Sequence, residues 1–250
     1  MKQDRILIVN GEPETHGILR SALVDAGYEI GEARTGGAAV QMARADRYDL
    51  ILLEVNAPIA SGLRTCQKIR ANTDTPIIII SAPAEETEKI AALDAGADDY
   101  VTKPFNAKEV LARIRAVLRR TPLNRDETTP MIVFAGMEIN FSTRKLIVQG
   151  KDVRLTPKEF DLLHYLAMNA NLPLSHGKIL QAVWGPDYGK EVEYLRVFIK
   201  QLRKKIEPDP GSPRYIVTEH WFGYRFRLPE AEQHEAGHPV DATNEDRRVN

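Results

Sequence analysis

The sequence has little of several features that mark secreted, membrane-spanning or strongly basic proteins. Its 250 residues include one cysteine, Cys66, which excludes an internal disulfide framework and a cysteine-rich zinc site and fits a reducing compartment such as the cytoplasm. No apolar run approaches the length of about 18 residues that spans a membrane, and the N-terminal MKQDRILIVN lacks the long apolar segment of a secretion signal. The formal net charge is −1, which by itself argues against a nucleic-acid partner.

The near-neutral total hides an uneven distribution of charge along the chain. Residues 1–120 and 121–130 each carry −1, residues 131–228 carry +5 and residues 229–250 carry −4. Such asymmetry hints at an anionic partner for the basic segment, although an ordinary solvated surface has the same appearance.

Two polar segments divide the chain. Residues 121–130, TPLNRDETTP, have a proline near each end and one large apolar residue, which predicts a linker. Residues 229–250 have no aromatic residue and one large aliphatic residue, so they cannot offset the entropy lost on ordering and are predicted to form a disordered acidic tail. We therefore expect domains at 1–120 and 131–228.

The first domain has the pattern of a parallel α/β fold. Short unbroken apolar runs at 5–9, 50–53 and 77–80 are typical of strands buried on both faces, and weaker strands fit at 28–33 and 99–102. Segments with helical spacing separate and follow them, at 14–26, 36–47, 62–72, 85–95 and 106–120. This alternation predicts a five-stranded, doubly wound parallel sheet.

Polar residues follow the apolar strands of this sheet, where ligands bind in doubly wound folds. They are Asn10, Gly11 and Glu12 after the first strand, Glu54, Ser81 and Lys103. The set predicts an anion or metal site, and the alternative is an inert strand edge.

The segments DLILLEVNAP, IIIISA and AALDAGADDYVTKPF resemble the receiver domain of bacterial two-component response regulators. The resemblance implies that Ser81 and Lys103 grip a phosphoryl group, that Tyr100 changes rotamer on activation, and that Asn56 marks a metal-binding carbonyl. However, Glu54 stands in the place of the phospho-accepting aspartate. Asn10 and Gly11 stand in the places of the metal-binding carboxylates, with Glu12 beside them.

These departures remove groups that the receiver chemistry needs. Mg²⁺ requires one or two carboxylates, and phosphoryl transfer depends on the metal and on exact positioning. We therefore expect no bound metal, no cofactor and no phosphorylation at the usual site. Glu54 either imitates a phosphorylated aspartate or forms a structural ion pair with Lys103. Two alternatives stay open: acceptance of phosphate by Glu54 or Glu12 from a sensor histidine kinase, and sensing of a small ligand or protein.

The last two helices of the first domain and the strand between them resemble the dimerisation face of the OmpR/PhoB family. The resemblance implies a homodimer held by ion pairs among seven charged residues: Lys89, Asp94, Asp98, Asp99, Glu109, Arg113 and Arg115. Glu109 and Arg113 also have the i,i+4 spacing of a local helical pair.

The second domain has the pattern of a winged helix-turn-helix. Residues 131–154 alternate apolar and polar in short stretches, which predicts a small antiparallel sheet. Thr156 and Glu159 form a capping box at the start of one helix, a second follows Ser175, and a third spans about 191–206. Two strands around a turn at Phe222-Gly223 complete the pattern.

The third helix carries basic residues on one face, namely Arg196, Lys200, Arg203 and Lys204. This suits a DNA major groove, although a solvated amphipathic helix is equally compatible with the charges. LTPKEFDLL, VWG, YLRVFIKQLRKKIE and GYRF resemble the DNA-binding half of OmpR/PhoB regulators.

The resemblance implies a non-enzymatic transcription regulator that binds tandem half-sites in double-stranded DNA. We expect Arg196 and Arg203 to read bases, and Lys200, Lys204 and Arg225 to contact phosphates. His220 and Trp221 stand where the family commonly carries Arg-Gly or Thr-Gly. The bulk of Trp221 puts a minor-groove contact of the wing in question, and the alternative is that Trp221 packs against the phosphate-sugar backbone or a partner.

Overall fold

The computed structural model describes residues 3–9, 12–56, 59–83, 85–118 and 131–228. The predicted linker at 121–130, the predicted tail at 229–250, and Asn10 and Gly11 lie outside these ranges. Across the described ranges, no helix is both long enough and apolar enough to cross a membrane.

The N-terminal domain is a five-stranded parallel sheet with the order β2-β1-β3-β4-β5. Its strands are Arg5–Val9 (β1), Glu29–Ala33 (β2), Leu50–Val55 (β3), Ile77–Ser81 (β4) and Asp99–Thr102 (β5). Its helices are Pro13–Asp25 (α1), Gly36–Ala45 (α2), Ile59–Arg70 (α3), Glu86–Asp94 (α4) and Ala107–Leu118 (α5). Every residue of β3 and β4 is buried, because helices cover both faces of the sheet. The predicted α/β fold is confirmed.

The C-terminal domain is a winged helix, as predicted. A four-stranded antiparallel sheet comes first, formed by Met131–Phe134 (β6), Met137–Asn140 (β7), Lys145–Val148 (β8) and Lys151–Asp152 (β9). The helices Pro157–Met168 (α6), His176–Trp184 (α7) and Val192–Ile206 (α8) follow. Leu174–Ser175 (β10) pairs with the hairpin of Ile216–Glu219 (β11) and Gly223–Phe226 (β12).

Local signals account for the starts of α6 and α7. The Thr156 side chain accepts from the Glu159 N–H, and the Glu159 carboxylate accepts from the Thr156 N–H, so the predicted capping box is present. Ser175 caps α7. The predicted hairpin turn is displaced by one position, because Gly223 pairs with Glu219 as the first residue of β12.

The two domains pack against each other through one continuous buried cluster. At its centre Asp98, fully buried, accepts from Arg70 Nη2 at 2.6 Å and from the Ile77 N–H at 2.9 Å. Two groups of the C-terminal domain also reach this residue, since the Lys158 N–H donates to its carboxylate and the Trp184 indole donates to its carbonyl, both at 3.3 Å. The face of the N-terminal domain that is formed by α4, β5 and α5 is therefore in contact with the winged helix.

Candidate functional site

The carboxyl edge of the parallel sheet holds a buried ion pair. Glu54 lies near the end of β3 with only 3% of its surface exposed, and its Oε1 accepts from Lys103 Nζ. Glu12 Oε2 lies 3.3 Å from the same ammonium group. Burial alone lowers the pKa of Lys103, but the hydrogen bond and charge of Glu54 outweigh this and hold the pKa above its ordinary value. Lys103 is therefore fixed as a cation by the two glutamates.

Ser81, at the end of β4, and Tyr100, in β5, are both buried. The Lys103 N–H donates to the Ser81 carbonyl at 2.7 Å, which holds the end of β4 next to the lysine. Among the described residues, no hydrogen bond joins Glu54 to Ser81, so the carboxylate does not make both contacts expected of a phosphoryl imitation. Asn56 follows β3 and is exposed.

The donors that the structure describes at this edge do not fit Mg²⁺. One oxygen of Glu54 is taken by Lys103, and the Glu12 side chain is 60% exposed and faces the same cation. Within the described ranges, no three His, Cys, Asp or Glu side chains converge as a metal-binding group. Mg²⁺ needs carboxylate ligands, and here the ammonium group of Lys103 already occupies the carboxylates of Glu54 and Glu12.

A cleft of about 800 Å³ opens beside Glu54, between the ends of β2 and β3 and the starts of α1 and α3. The second carboxylate oxygen of Glu54, Oε2, is buried and has no hydrogen-bond partner among the described residues. On the rim, Glu32 pairs with Arg20 at 3.0 Å and lies 3.3 Å from His16 Nε2.

The basic side of α8 is the second candidate site. Arg196, Lys200 and Lys204 follow i, i+4, i+8 and are exposed, while Leu195, Phe198, Ile199, Leu202 and Ile206 fill the core on the opposite side. Arg196 is paired with Glu193 one turn earlier. Three cations are thus presented together along one helix.

Arg203 does not belong to that exposed set. Its Nε and Nη2 donate to the Ile216 carbonyl at 3.0 and 2.7 Å, and Nη2 also donates to Thr218 Oγ1 at 2.8 Å. Burial lowers its pKa, and the guanidinium lies over the Tyr224 ring. The base-reading role predicted for Arg203 does not fit this position, because the side chain joins α8 to the hairpin.

The hairpin carries the remaining predicted DNA contacts. His220 is exposed at its tip, and Arg225 pairs with Glu219 at 2.7 Å across the two strands. Trp221 projects from the tip and is fully exposed, at 103%.

The predicted dimer face is partly occupied within the chain. The Tyr188 hydroxyl donates to Asp99 Oδ2 at 2.5 Å and accepts from Arg113, while Gln201 donates to the Leu93 carbonyl at 3.1 Å and to Asp94 at 3.3 Å. The predicted local pair Glu109–Arg113 is present at 2.9 Å. Among the described residues, no ion pair involves Lys89 or Arg115.

Tyr188 and Gln201 were missed by the sequence reasoning. Each meets a partner at least 75 positions earlier in the chain, and neither lies in a local motif that points to the N-terminal domain.

Two protein-family models match the chain. The response regulator receiver domain matches residues 6–115, and the C-terminal domain of transcriptional regulatory proteins matches residues 150–226.

Individual proteins match across both domains. The transcriptional regulatory protein KdpE of Mycobacterium tuberculosis is 39% identical over 221 residues, covering 88% of this chain and 98% of that protein. The KDP operon transcriptional regulatory protein KdpE of Escherichia coli K12 is 39% identical over 226 residues, covering 89% and 99%. Among solved structures, a mutant of RitR matches with a TM-score of 0.71 and 26% identity, covering 89% of this chain and 98% of that one.

Proposed function

Because this chain belongs to the OmpR/PhoB type of two-component response regulators, with a receiver domain and a DNA-binding effector domain, we propose that it is a sequence-specific transcription regulator that acts without phosphorylation at the usual receiver position. It binds tandem half-sites in double-stranded DNA as a homodimer, with half-sites about 10 base pairs apart. The observation that carries the DNA-binding part is the exposed basic side of α8.

The geometry of α8 supports a major-groove contact. A helix of about 10–12 Å diameter fits a groove of about 12 Å, and its exposed side chains then face base edges and phosphates. Arg196 is the proposed base reader, because a guanidinium donates to two acceptors of guanine at once. Lys200 and Lys204 are the proposed phosphate contacts. His220 and Arg225 on the hairpin extend the same surface.

Independence from phosphorylation is supported by the contacts of Glu54. Its carboxylate is already held by Lys103, the cation that binds the phosphoryl group in the receiver family. The side chain of Glu54 is one methylene longer than aspartate, so its carboxylate is displaced from the position of the family's phosphate acceptor. The residues of this edge also lack the carboxylates of a magnesium site. Phosphoryl transfer that depends on positioning by a metal is therefore lost.

Intact-mass measurement tests this proposal directly. The full-length protein, incubated with acetyl phosphate and Mg²⁺, is expected to gain no phosphoryl mass. The matched control is the triple variant Asn10→Asp, Gly11→Asp, Glu54→Asp, which restores the family's acidic residues and is expected to gain one. A phosphoryl group on the unchanged protein would show that Glu54 or Glu12 is an unusual acceptor.

Dimerisation and DNA binding both require release of the contacts between the domains. Tyr188 occupies Asp99 and Arg113, two charged residues of the proposed dimer face. Val197, on the side of α8 next to the basic residues, is buried, and Gln201 on that side bonds to Leu93. A DNA major groove that holds α8 leaves no room for a second helix beside it. We therefore expect α4 and DNA to compete for the side of α8 that carries Gln201.

A second function is favoured by Glu54 Oε2, which lies beside the cleft and has no hydrogen-bond partner in the part of the chain that the structure describes. A small ligand with an N–H donor would satisfy this oxygen, in which case the receiver senses that ligand. Thermal-shift screening of small amines and metabolites tests this alternative, with Glu54→Gln as the control that removes the charge.

A further inference from the structure

Trp221 is the most exposed large apolar side chain among the described residues. It is 103% exposed, whereas the next, Val133, is 59% exposed. The other tryptophan of the chain, Trp184, is 2% exposed. Large aromatic side chains seldom lie wholly in water without a partner, so this position calls for an explanation.

The backbone at Trp221 is in a conformation that bulky residues rarely adopt. Its φ is +64°, in the left-handed region that favours glycine. The residue is third in a tight turn closed by the bond from the Phe222 N–H to the Glu219 carbonyl, at 3.0 Å. Glycine is the ordinary choice at such a turn position. Tryptophan here adds strain to the turn, and its exposure shows that the described residues give its side chain no packing in return.

The tip that presents Trp221 is held rigidly. The Phe222 carbonyl accepts from the His176 N–H at 3.1 Å, which ties the turn to the start of α7. A side chain on Gly223 would meet the Leu174 carbonyl at 2.0 Å, so the strand lies close against β10. The Glu219–Arg225 pair joins the two strands directly beneath the turn. The turn that carries the indole is therefore fixed to the rest of the domain.

The surroundings of the hairpin favour an anionic partner. Arg214, Arg225 and Arg227 line one cleft of about 530 Å³ beside it. The hairpin is joined to α8 by Arg203, which bonds to Ile216 and Thr218. The hairpin whose tip carries the indole is thus joined by Arg203 to the helix that carries Lys200, and three arginines lie beside it.

We propose that Trp221 is an apolar wedge that enters the DNA minor groove beside the half-site contacted by α8. Apolar side chains inserted from the minor groove partly unstack a base step, and pyrimidine–purine steps yield most readily. The wedge therefore favours half-sites flanked by such a step. This inference rests on the proposed DNA-binding function and assigns to the hairpin a contact that does not depend on an arginine.

The variant Trp221→Gly separates this role from folding. Glycine suits the positive φ, so the variant is expected to keep or raise its Tm. Its affinity for a duplex selected by the full-length protein is expected to fall about tenfold, the order of an aromatic contact with a base. Ile18→Ala, which removes an exposed apolar side chain from α1, is the control and is expected to bind as before. Unchanged affinity of Trp221→Gly would overturn the proposal.

Tryptophan fluorescence gives a second readout. Addition of the selected duplex is expected to quench the emission of the full-length protein, because the exposed indole becomes stacked. Trp221→Phe reports what Trp184 alone contributes, so the difference between the two titrations belongs to Trp221. If the duplex binds and this difference is absent, the wedge is wrong while the proposed function stands. If no duplex binds at all, the proposed function itself fails.

Discussion

At the scale of single residues, Glu54 is the position on which the behaviour of the receiver depends. Its carboxylate is buried and pairs with Lys103, which keeps a side-chain exposure of 17%. Breaking a buried ion pair by removing one partner is strongly destabilising, because it leaves a charge without compensation. Replacing Glu54 with alanine also removes any imitation of phosphoaspartate. The stability and the DNA affinity of such a variant therefore distinguish a structural ion pair from an imitation of phosphorylation.

We predict that Glu54→Ala lowers the free energy of unfolding by about 2 kcal/mol, since Lys103 keeps some access to water. DNA affinity of the folded variant is predicted to stay unchanged, as expected for a structural ion pair. Urea denaturation and an electrophoretic mobility shift are the measurements. A large loss of DNA affinity in a well-folded variant would instead support the imitation of phosphorylation.

His176 gives the fold a dependence on pH. Burial, and then the charge of Arg196, lower its pKa below the ordinary value of 6.5. As the pH falls through 6.5, the unfolded chain takes up this proton more readily than the folded protein does, so stability decreases towards acid. His176→Gln is predicted to flatten this part of the profile, measured by urea denaturation above and below pH 6.5. An equally steep profile in the variant would contradict the assignment.

At the scale of elements, α8 has three distinct sides. Leu195, Ile199 and Leu202 pack in the core, while Arg196 and Lys200 face solvent. The third side carries Tyr194, Val197 and Gln201, and meets the N-terminal domain. The helix therefore serves folding and domain contact, and it also carries the proposed DNA-binding surface.

Lys200→Ala and Arg203→Ala are predicted to differ, although the two residues are three positions apart. Lys200→Ala is expected to leave stability unchanged, to weaken binding to all DNA sequences similarly and to reduce the salt slope by about 1. Arg203→Ala is expected to lower the free energy of unfolding by about 1.5–3 kcal/mol, because hydrogen bonds from a charged group to the hairpin are lost. Mobility shifts over a salt series and urea denaturation separate them, and equal stability losses would contradict the distinction.

Sequence patterns predicted elements better than they predicted partners. The runs of β1, β3 and β4 are recognisable because strands buried on both faces do not alternate, and Thr156 with Glu159 signals a helix start within four residues. The role of Arg203 was not predictable, because the i, i+7 spacing from Arg196 places both on one broad side of the helix. Which of the two meets the hairpin depends on how β11 packs against α8. The ion pair of Glu54 with Lys103 was one of two alternatives open in the sequence, while the approach of Glu12 to the same ammonium group required the fold.

At the scale of the whole molecule, the contact between the domains occupies residues that the proposed dimer and the proposed DNA complex both need. Asp98, Asp99 and Arg113 are occupied by contacts with the C-terminal domain, so the same residues are not free to hold a partner subunit. Burial raises the pKa of the Asp98 carboxyl, and the ion pair with Arg70 opposes that rise. Opening of this contact frees α8 and the proposed dimer face together.

Tyr188→Phe is predicted to shift the protein towards the open form. The substitution keeps the ring in place and removes a hydroxyl that bonds to a charged carboxylate, worth about 1.5–3 kcal/mol. Dimerisation and DNA affinity are therefore expected to increase by about ten- to a hundredfold, measured by analytical ultracentrifugation and mobility shift. Tyr165→Phe, in α6 of the same domain, is the control. Identical behaviour of the two variants would show that the hydroxyl does not hold the domains together.

The most direct test of the whole account is sequencing of genomic DNA fragments retained by the unmodified full-length protein. Parallel selections are made with and without acetyl phosphate and Mg²⁺. Both are predicted to enrich the same tandem repeat, with half-sites about 10 base pairs apart. Enrichment only in the presence of the phosphodonor, or no enrichment in either selection, would contradict a DNA-binding regulator that acts without phosphorylation.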